Sequence, residues 1–233
     1  MTETVFLAGG SGAIGQQLIP RLIEDGWRVV ATTQSTAKFA LLQKLGAEPI
    51  VMDAFDAKSV MDTVMAARPS VIIHQLTSLP DGLAPEMMAA ARERNAQIRD
   101  VGTRNLVAAA KAAGVKRMVS QSIAWAYAPG KANFREDDPL DASQWGVKSL
   151  ENQTLAGPFD GIVLRYGYFY GPGTGFEFPT RPGSLHVADA AQVAAHAARK
   201  GAPGRYNVAE EDGPFNSAKA QAELNFQPRQ HNS

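Results

Sequence analysis

Short continuous apolar runs alternate with apolar residues at helical spacing along most of this chain. Thr4-Val5-Phe6-Leu7-Ala8 is unbroken, as a strand covered on both faces would be. Ile14, Leu18, Ile19, Leu22 and Ile23 then recur at the helix period, and Gly26 stands where a helix would stop. The alternation continues with a strand over 27–32, a helix over 35–45 closed by Gly46, a strand over 49–52, a helix over 57–67 and a strand over 70–74. A loop holding Pro80, Asp81, Gly82 and Pro85 leads into a long helix, 86–113, stopped by Gly114. Arg117-Met118-Val119-Ser120 reads as the fifth strand, and Ile162-Val163-Leu164-Arg165, after the turn at Asp160-Gly161, as the sixth. Such alternation predicts parallel pairing: an α/β fold with a doubly wound parallel sheet and a small C-terminal appendage. The sheet domain is expected over 1–170, with a shortened substrate or lid region over 171–233 packed on the same domain.

The first strand feeds Gly9-Gly10-Ser11-Gly12-Ala13-Ile14-Gly15, which opens the first helix. Gly10, Gly12 and Gly15 satisfy G-x-G-x-x-G, and Gly9, Gly12 and Gly15 satisfy the related G-x-x-G-x-x-G. Without Cβ atoms the backbone can turn sharply and approach a diphosphate, whose charge is met by free N–H groups at the helix start. A plain strand-to-helix turn is the competing reading, but this position between a strand and a helix favours a Rossmann-type dinucleotide site. Cofactor contacts are expected from Gly9, Gly10, Ser11, Gly12, Ala13, Ile14 and Gly15. They are also expected from the ends of later strands: Thr33 and Gln34, Asp53 and Ala54, Gln75 and Leu76. Asp53 stands where a carboxylate could accept a hydrogen bond from an adenine amino group, whereas Asp56, just before Ala57, suits a helix N-cap. No acid follows the second strand to hold a ribose 2′-hydroxyl; the chain has Thr32-Thr33-Gln34-Ser35-Thr36 and then Lys38. Hydroxyls beside an ammonium suit a 2′-phosphate, which favours NADP(H) over NAD(H).

Composition removes other classes. Lys+Arg and Asp+Glu are both 23, so no basic field points to nucleic acid. The absence of cysteine excludes disulfides, thiolate catalysis and Cys-based zinc sites. His74, His186, His196 and His231 form no metal-ligand spacing. No apolar run approaches membrane-spanning length, and Met1-Thr2-Glu3 lacks the basic start of a signal peptide. A cytoplasmic chain with a small-molecule substrate, and with neither nucleic acid nor membrane as partner, is expected.

Further along stand Val119-Ser120-Gln121-Ser122-Ile123-Ala124-Trp125-Ala126-Tyr127, then Leu164-Arg165-Tyr166-Gly167-Tyr168-Phe169-Tyr170-Gly171-Pro172-Gly173-Thr174, then His186-Val187-Ala188-Asp189-Ala190. With the glycine cluster, Gly102-Thr103-Arg104-Asn105-Leu106 and the tail over 217–228, the chain resembles the extended short-chain dehydrogenase/reductase superfamily, in its NAD-dependent epimerase/dehydratase branch. That resemblance implies NAD(P) binding, a Ser or Thr after the fifth strand, and a Tyr-x-x-x-Lys pair on the next helix. In such a pair the lysine lowers the tyrosine pKa and holds the nicotinamide ribose. The tyrosine exchanges a proton with the substrate, and the serine steadies its oxygen. It also implies helix surfaces suited to a homodimer, by analogy alone.

The chain departs from this pattern in two places. Ser122 fills the serine position and Lys148 the lysine, but the intervening helix start holds Gln144 and Trp145 and no tyrosine. Neither glutamine nor an indole cycles a proton near neutral pH. Tyr127, Tyr166, Tyr168 and Tyr170 are the possible substitutes, with core packing the commoner use of each. The second departure is the short run between Gly173 and His186, which leaves little chain to build a nucleotide-sugar pocket. Three functions are therefore expected in descending order. The first is an NAD(P)-dependent oxidoreductase of atypical type acting on a small carbonyl or alcohol, with Ser122 and Lys148 as catalytic residues. The second is a catalytically silent NAD(P)-binding sensor or interaction protein, and the third a nucleotide-sugar epimerase or dehydratase.

Overall fold

The computed structural model describes residues 2–79 and 87–229. The expected loop with Pro80, Asp81, Gly82 and Pro85, the helix start at Glu86, and His231 lie outside the described residues. In chain order the strands are β1 (Thr4–Ala8), β2 (Arg28–Thr33), β3 (Glu48–Val51), β4 (Val71–His74), β5 (Arg117–Ile123), β6 (Asp160–Tyr166), β7 (Tyr168–Tyr170), β8 (Ser184–His186) and β9 (Gly204–Val208). The helices are α1 (Ala13–Glu24), α2 (Phe39–Lys44), α3 (Ala57–Ala67), α4 (Met88–Gln97), α5 (Thr103–Ala113), α6 (Trp145–Ala156), α7 (Val187–Ala197) and α8 (Ala218–Leu224).

The parallel α/β sheet expected from the sequence is present, seven-stranded and in the order β3-β2-β1-β4-β5-β6-β9, while β7 and β8 pair separately. Its strands are apolar throughout because both faces are covered. Val5 and Leu7 pack with Leu18, Ile19 and Leu22 of α1 and with Val193, Ala194 and Ala197 of α7. Phe6 and Ala8, pointing the other way, pack with Val60 and Val64 of α3 and with Leu106, Ala109 and Ala110 of α5. Each such large side chain, once buried, contributes about 1.5–3 kcal/mol, so the two layers together fix the sheet. Of the stretch expected to form a lid, α7 lies in the first of these layers and β9 extends the sheet beside β6.

Two differences from the sequence reading bear on the site. β5 runs to Ile123 rather than stopping at Ser120, because Gln121 and Ser122 stay in register with Leu164 and Arg165 of β6. The long helix is also not uniform. Between α4 and α5 the residues Ile98–Gly102 form a π-helical turn, a wider turn that accommodates one extra residue and recurs at functional sites. Asp100 holds that turn against α6, accepting from Ser149 Oγ at 2.5 Å, while Gln153 Nε2 donates to its backbone oxygen at 3.1 Å.

Candidate functional site

The strand order reverses direction between β1 and β4, and open α/β sheets take ligands beyond the carboxyl ends of their strands at such a point. There the turn after β1 is held from two sides. Gly9 N donates to Thr32 Oγ1 at 3.0 Å and Gly10 N to Thr32 O at 3.0 Å. Thr32, not among the expected cofactor contacts, thus ties the turn to β2. At Gly9 (φ +93°) any Cβ would also lie 2.9 Å from Gln75 O. A Cβ on Gly15 would come within 2.4 Å of Gly10 O and 2.6 Å of Gly9 O. Gly10 serves packing instead, its Cβ position being taken by Ala31 at 2.7 Å.

This cradle fits a dinucleotide. Gly12 caps α1 without a side chain, and no acidic residue stands in the first turn, so the leading amides face outward beside the positive end of the helix. Gln75 adds an independent indication. Its amide lies buried beside the Tyr166 hydroxyl, yet neither Oε1 nor Nε2 completes a well-formed hydrogen bond. Buried amides left so are rare and mark a group awaiting a partner.

A cavity of about 1020 Å³ opens from the turn. Gly9, Ser11, Gly12, Ala13, Ile14, Gly15 and Gln75 line one end; Gln121, Ile123, Trp125, Gln144, Trp145 and Tyr168 line the other. Thr33, Gln34, Asp53, Ala54, Leu76 and Gly10 are not on this wall. Thr33 is buried and receives the Ser11 hydroxyl at 3.4 Å. Ala54 is buried, Gln34 is exposed, and Leu76 lies in van der Waals range of the Gly102 Cβ position. Asp53 is exposed at the end of β3, with Oδ1 accepting from Phe55 N at 2.9 Å, while Asp56 caps α3 as its position suggested.

The expected catalytic pair is not on the wall either. Along β5 the side chains alternate, so Gln121 and Ile123 face the cavity and Ser122 faces away. Ser122 is fully buried and its Oγ donates to Glu151 Oε1 at 2.8 Å. Lys148 is half-buried on α6 and lies outside the cavity lining, where Gln144 and Trp145 stand instead. In the structure the Ser122 hydroxyl is therefore engaged by a buried carboxylate.

That carboxylate anchors a network. Arg165 grips Glu151 through Nε at 2.8 Å and Nη2 at 2.6 Å, and Arg205 Nε adds a bond at 2.8 Å. Burial alone would raise the Glu151 pKa, but the bonds from Arg165, Ser122 and Arg205 hold it below the usual carboxylate range. Arg165 also donates to the Tyr127 hydroxyl at 2.7 Å, which in turn donates to Asn207 at 2.6 Å. Burial raises the Tyr127 pKa. Of the five tyrosines, all described, Tyr168 alone lines the cavity, stacked on Trp125 at 4.6 Å with the Arg181 guanidinium 4.7 Å from its ring centre.

His74, the last residue of β4, is fully buried. Its Nδ1 accepts from Leu76 N at 3.2 Å, which leaves the ring proton on Nε2, facing Thr103 Oγ1 at 3.0 Å. Burial, and then the nearby Arg99 charge, push its pKa down to about 3. Arg99 itself projects from the π-helical turn into the cavity. Among the described residues no group of His, Asp and Glu is placed to hold a metal ion, and no helix is long and apolar enough to cross a membrane.

A family profile described as NAD(P)H-binding matches residues 9–200, from the glycine turn to the end of α7 and just beyond. The chain belongs to the NAD(P)H-binding family. It is an NAD(P)-dependent oxidoreductase of the atypical short-chain dehydrogenase/reductase kind, as the sequence resemblance implied. A 3-diazoavenalumate denitrifying reductase from a Streptomyces species is 35% identical, over 89% of this chain and 76% of that protein. A 4-hydroxy-2-methyl-3-oxo-4-farnesyl-3,4-dihydroquinoline-1-oxide ketoreductase from Stigmatella aurantiaca is 28% identical over 71% of the chain, which spans about half of that relative's length (50%). Among solved structures, the Thermotoga maritima UDP-glucose 4-epimerase superposes with a TM-score of 0.79 at 17% identity, covering 98% of this chain and 94% of that one. At that identity the likeness shows the fold of the NAD(P)H-binding domain. The cofactor is NAD or NADP.

Proposed function

We propose that the protein is an NADPH-dependent reductase delivering hydride to a compact, strongly electrophilic substrate held between Gln121, Trp125, Trp145 and Tyr168. The observation that carries this reading is the absence of a lysine-activated phenol from the cavity wall: Gln144 and Trp145 line it, and Ser122 and Lys148 do not. When bound, the cofactor supplies hydride. The chain's own residues hold the cofactor at the glycine turn, enclose the substrate between aromatic faces and limit water.

A substrate whose reduction consumes no proton suits such a wall. An aryldiazonium ion is one: hydride adds to the ring carbon, the carbon–nitrogen bond breaks with its electron pair leaving on nitrogen, and dinitrogen departs. The reaction named for the Streptomyces relative, reduction of a diazo compound with loss of nitrogen, supports this choice. A small carbonyl is the second reading, supported by the ketoreductase relative; it needs a proton, for which Tyr168 is the one phenol in place. The preference for NADPH rests on Lys38, which lines the cavity, and on the lack of an acidic residue just after β2.

The test is NADPH oxidation with aryldiazonium salts and with aryl ketones, in the natural protein and in Tyr168→Phe. The first reading expects diazonium reduction that survives Tyr168→Phe. Ketone reduction lost in Tyr168→Phe establishes the second. Tight cofactor binding with no turnover of either class would leave a nucleotide-binding sensor, and a homodimer is then the partner to look for first.

A further inference from the structure

We propose that Arg99 is the anchor for an anionic group on the substrate, a carboxylate by preference, so that the reductase takes an aromatic or similarly flat organic acid. This rests on the reading of the cavity as a hydride-transfer site and specifies what enters it.

Three observations carry the assignment. First, Arg99 lines the cavity but forms no hydrogen bond or ion pair with any described residue. Arg99 is half-buried, and a partly desolvated guanidinium without a partner in the protein gains from an anionic ligand that supplies one. Burial lowers its pKa to about 10, which still leaves it fully charged at neutral pH, with the Glu151 charge acting in the opposite sense. Second, Glu151 cannot serve as its partner. Both of its oxygens are taken, by Arg165, Arg205 and Ser122, and of the three guanidinium groups only that of Arg99 is on the cavity wall. Third, the imbalance is local. Lys38, Arg92, Arg99 and Arg181 line the cavity against Glu93 alone among the described residues, in a chain whose formal net charge is zero.

The neighbours of Arg99 divide its role from that of the cofactor cradle. It rises from the π-helical turn that Asp100 holds against α6, a different element from the turn after β1 that makes the diphosphate cradle. His74, at the end of β4, is kept neutral by burial and by Arg99 itself and so adds no positive charge of its own beside Arg99. A planar carboxylate accepting two parallel N–H bonds is the ligand that a guanidinium fork fits best. The walls of Trp125, Trp145 and Tyr168 suit a flat body attached to it.

The experiment uses the full chain saturated with NADP+, titrated with benzoate and with benzamide and followed by tryptophan fluorescence and calorimetry. Benzoate is expected to bind at least about tenfold more tightly than the neutral amide. In Arg99→Gln that preference should vanish while NADP+ affinity stays within about twofold, and Arg99→Lys should keep part of it. Equal affinity for acid and amide, or no saturable benzoate binding, overturns the proposal without needing a variant. Loss of NADP+ affinity in Arg99→Gln with the benzoate preference intact overturns it too, by assigning Arg99 to the cofactor. Because no turnover is measured, a failure of hydride transfer would show separately: acid-selective binding with no reduction of any electrophile sinks the reductase reading and leaves Arg99's role standing.

Discussion

Replacing Ser122 by alanine separates a structural hydroxyl from a reactive one. In the structure Ser122 Oγ, fully buried, donates to Glu151 Oε1 at 2.8 Å. Losing a hydrogen bond to a charged group costs about 1.5–3 kcal/mol. Oε1 keeps its bond from Arg165 Nε at 2.8 Å, and Oε2 keeps Arg165 Nη2 and Arg205. The carboxylate is therefore not left bare, and the loss falls at the low end, about 1.5 kcal/mol. In a chain of this length each kcal/mol moves the unfolding midpoint by about 2–4 °C, so a fall of about 3–6 °C is expected. NADPH affinity and turnover per folded molecule should stay within about threefold, far less than the loss of a group acting in the transition state would cause. Thermal unfolding, cofactor titration and steady-state reduction on the same preparation measure all three. The reasoning is refuted if turnover drops by two or more orders of magnitude while the midpoint stays put, because that pattern belongs to a hydroxyl that touches substrate.

Further expectations concern the glycine turn, Lys38 and His74. Gly15→Ala sets a methyl group against two backbone oxygens, 2.4 and 2.6 Å from the Cβ position, and should weaken NADPH binding at least about tenfold; unchanged affinity would remove the turn after β1 from the cofactor site. Lys38→Gln should weaken NADPH and leave NADH unaffected, which paired calorimetric titrations would show; an equal loss for both denies a role at the 2′-phosphate. His74 is held neutral in the fold, with its pKa pushed down to about 3, so below about pH 6.5 only the unfolded chain gains its proton. Its contribution is complete above that pH and drains away on acidification, about 2 kcal/mol between pH 7 and pH 5. Denaturant curves for His74→Gln should lack that part of the slope; parallel pH profiles would count against a neutral buried imidazole.

The sheet was legible in the sequence because its strands are buried on both faces and read as unbroken apolar runs, Val5 to Ala8 and Val71 to Ile73 being the plainest. The glycine turn was legible too, since its spacing is set by contacts that a Cβ cannot make. β9 was not: Gly204-Arg205-Tyr206-Asn207-Val208 carries two polar side chains whose partners, Glu151 and Tyr127, are far off in the chain. Ser122 could not be oriented from the sequence for a similar reason. Its position after the fifth strand fits the family pattern, but the side to which it points depends on β5 continuing to Ile123. Arg99 gave a fainter signal, a cation set among the buried Asn95, Ile98 and Gly102, and a helical wheel of uniform pitch cannot place it correctly across a π-helical turn.

That turn also separates two parts of the molecule for evolution. Removing a single residue from 98–102 would rewind the helix and swing α4 by about 100° relative to α5, which stays fixed on the sheet. Arg92, Glu93 and Asn95 would leave the cavity together, while the nucleotide half stayed as it is. A one-codon deletion or insertion there gives a lineage a way to change its substrate without rebuilding the rest of the enzyme.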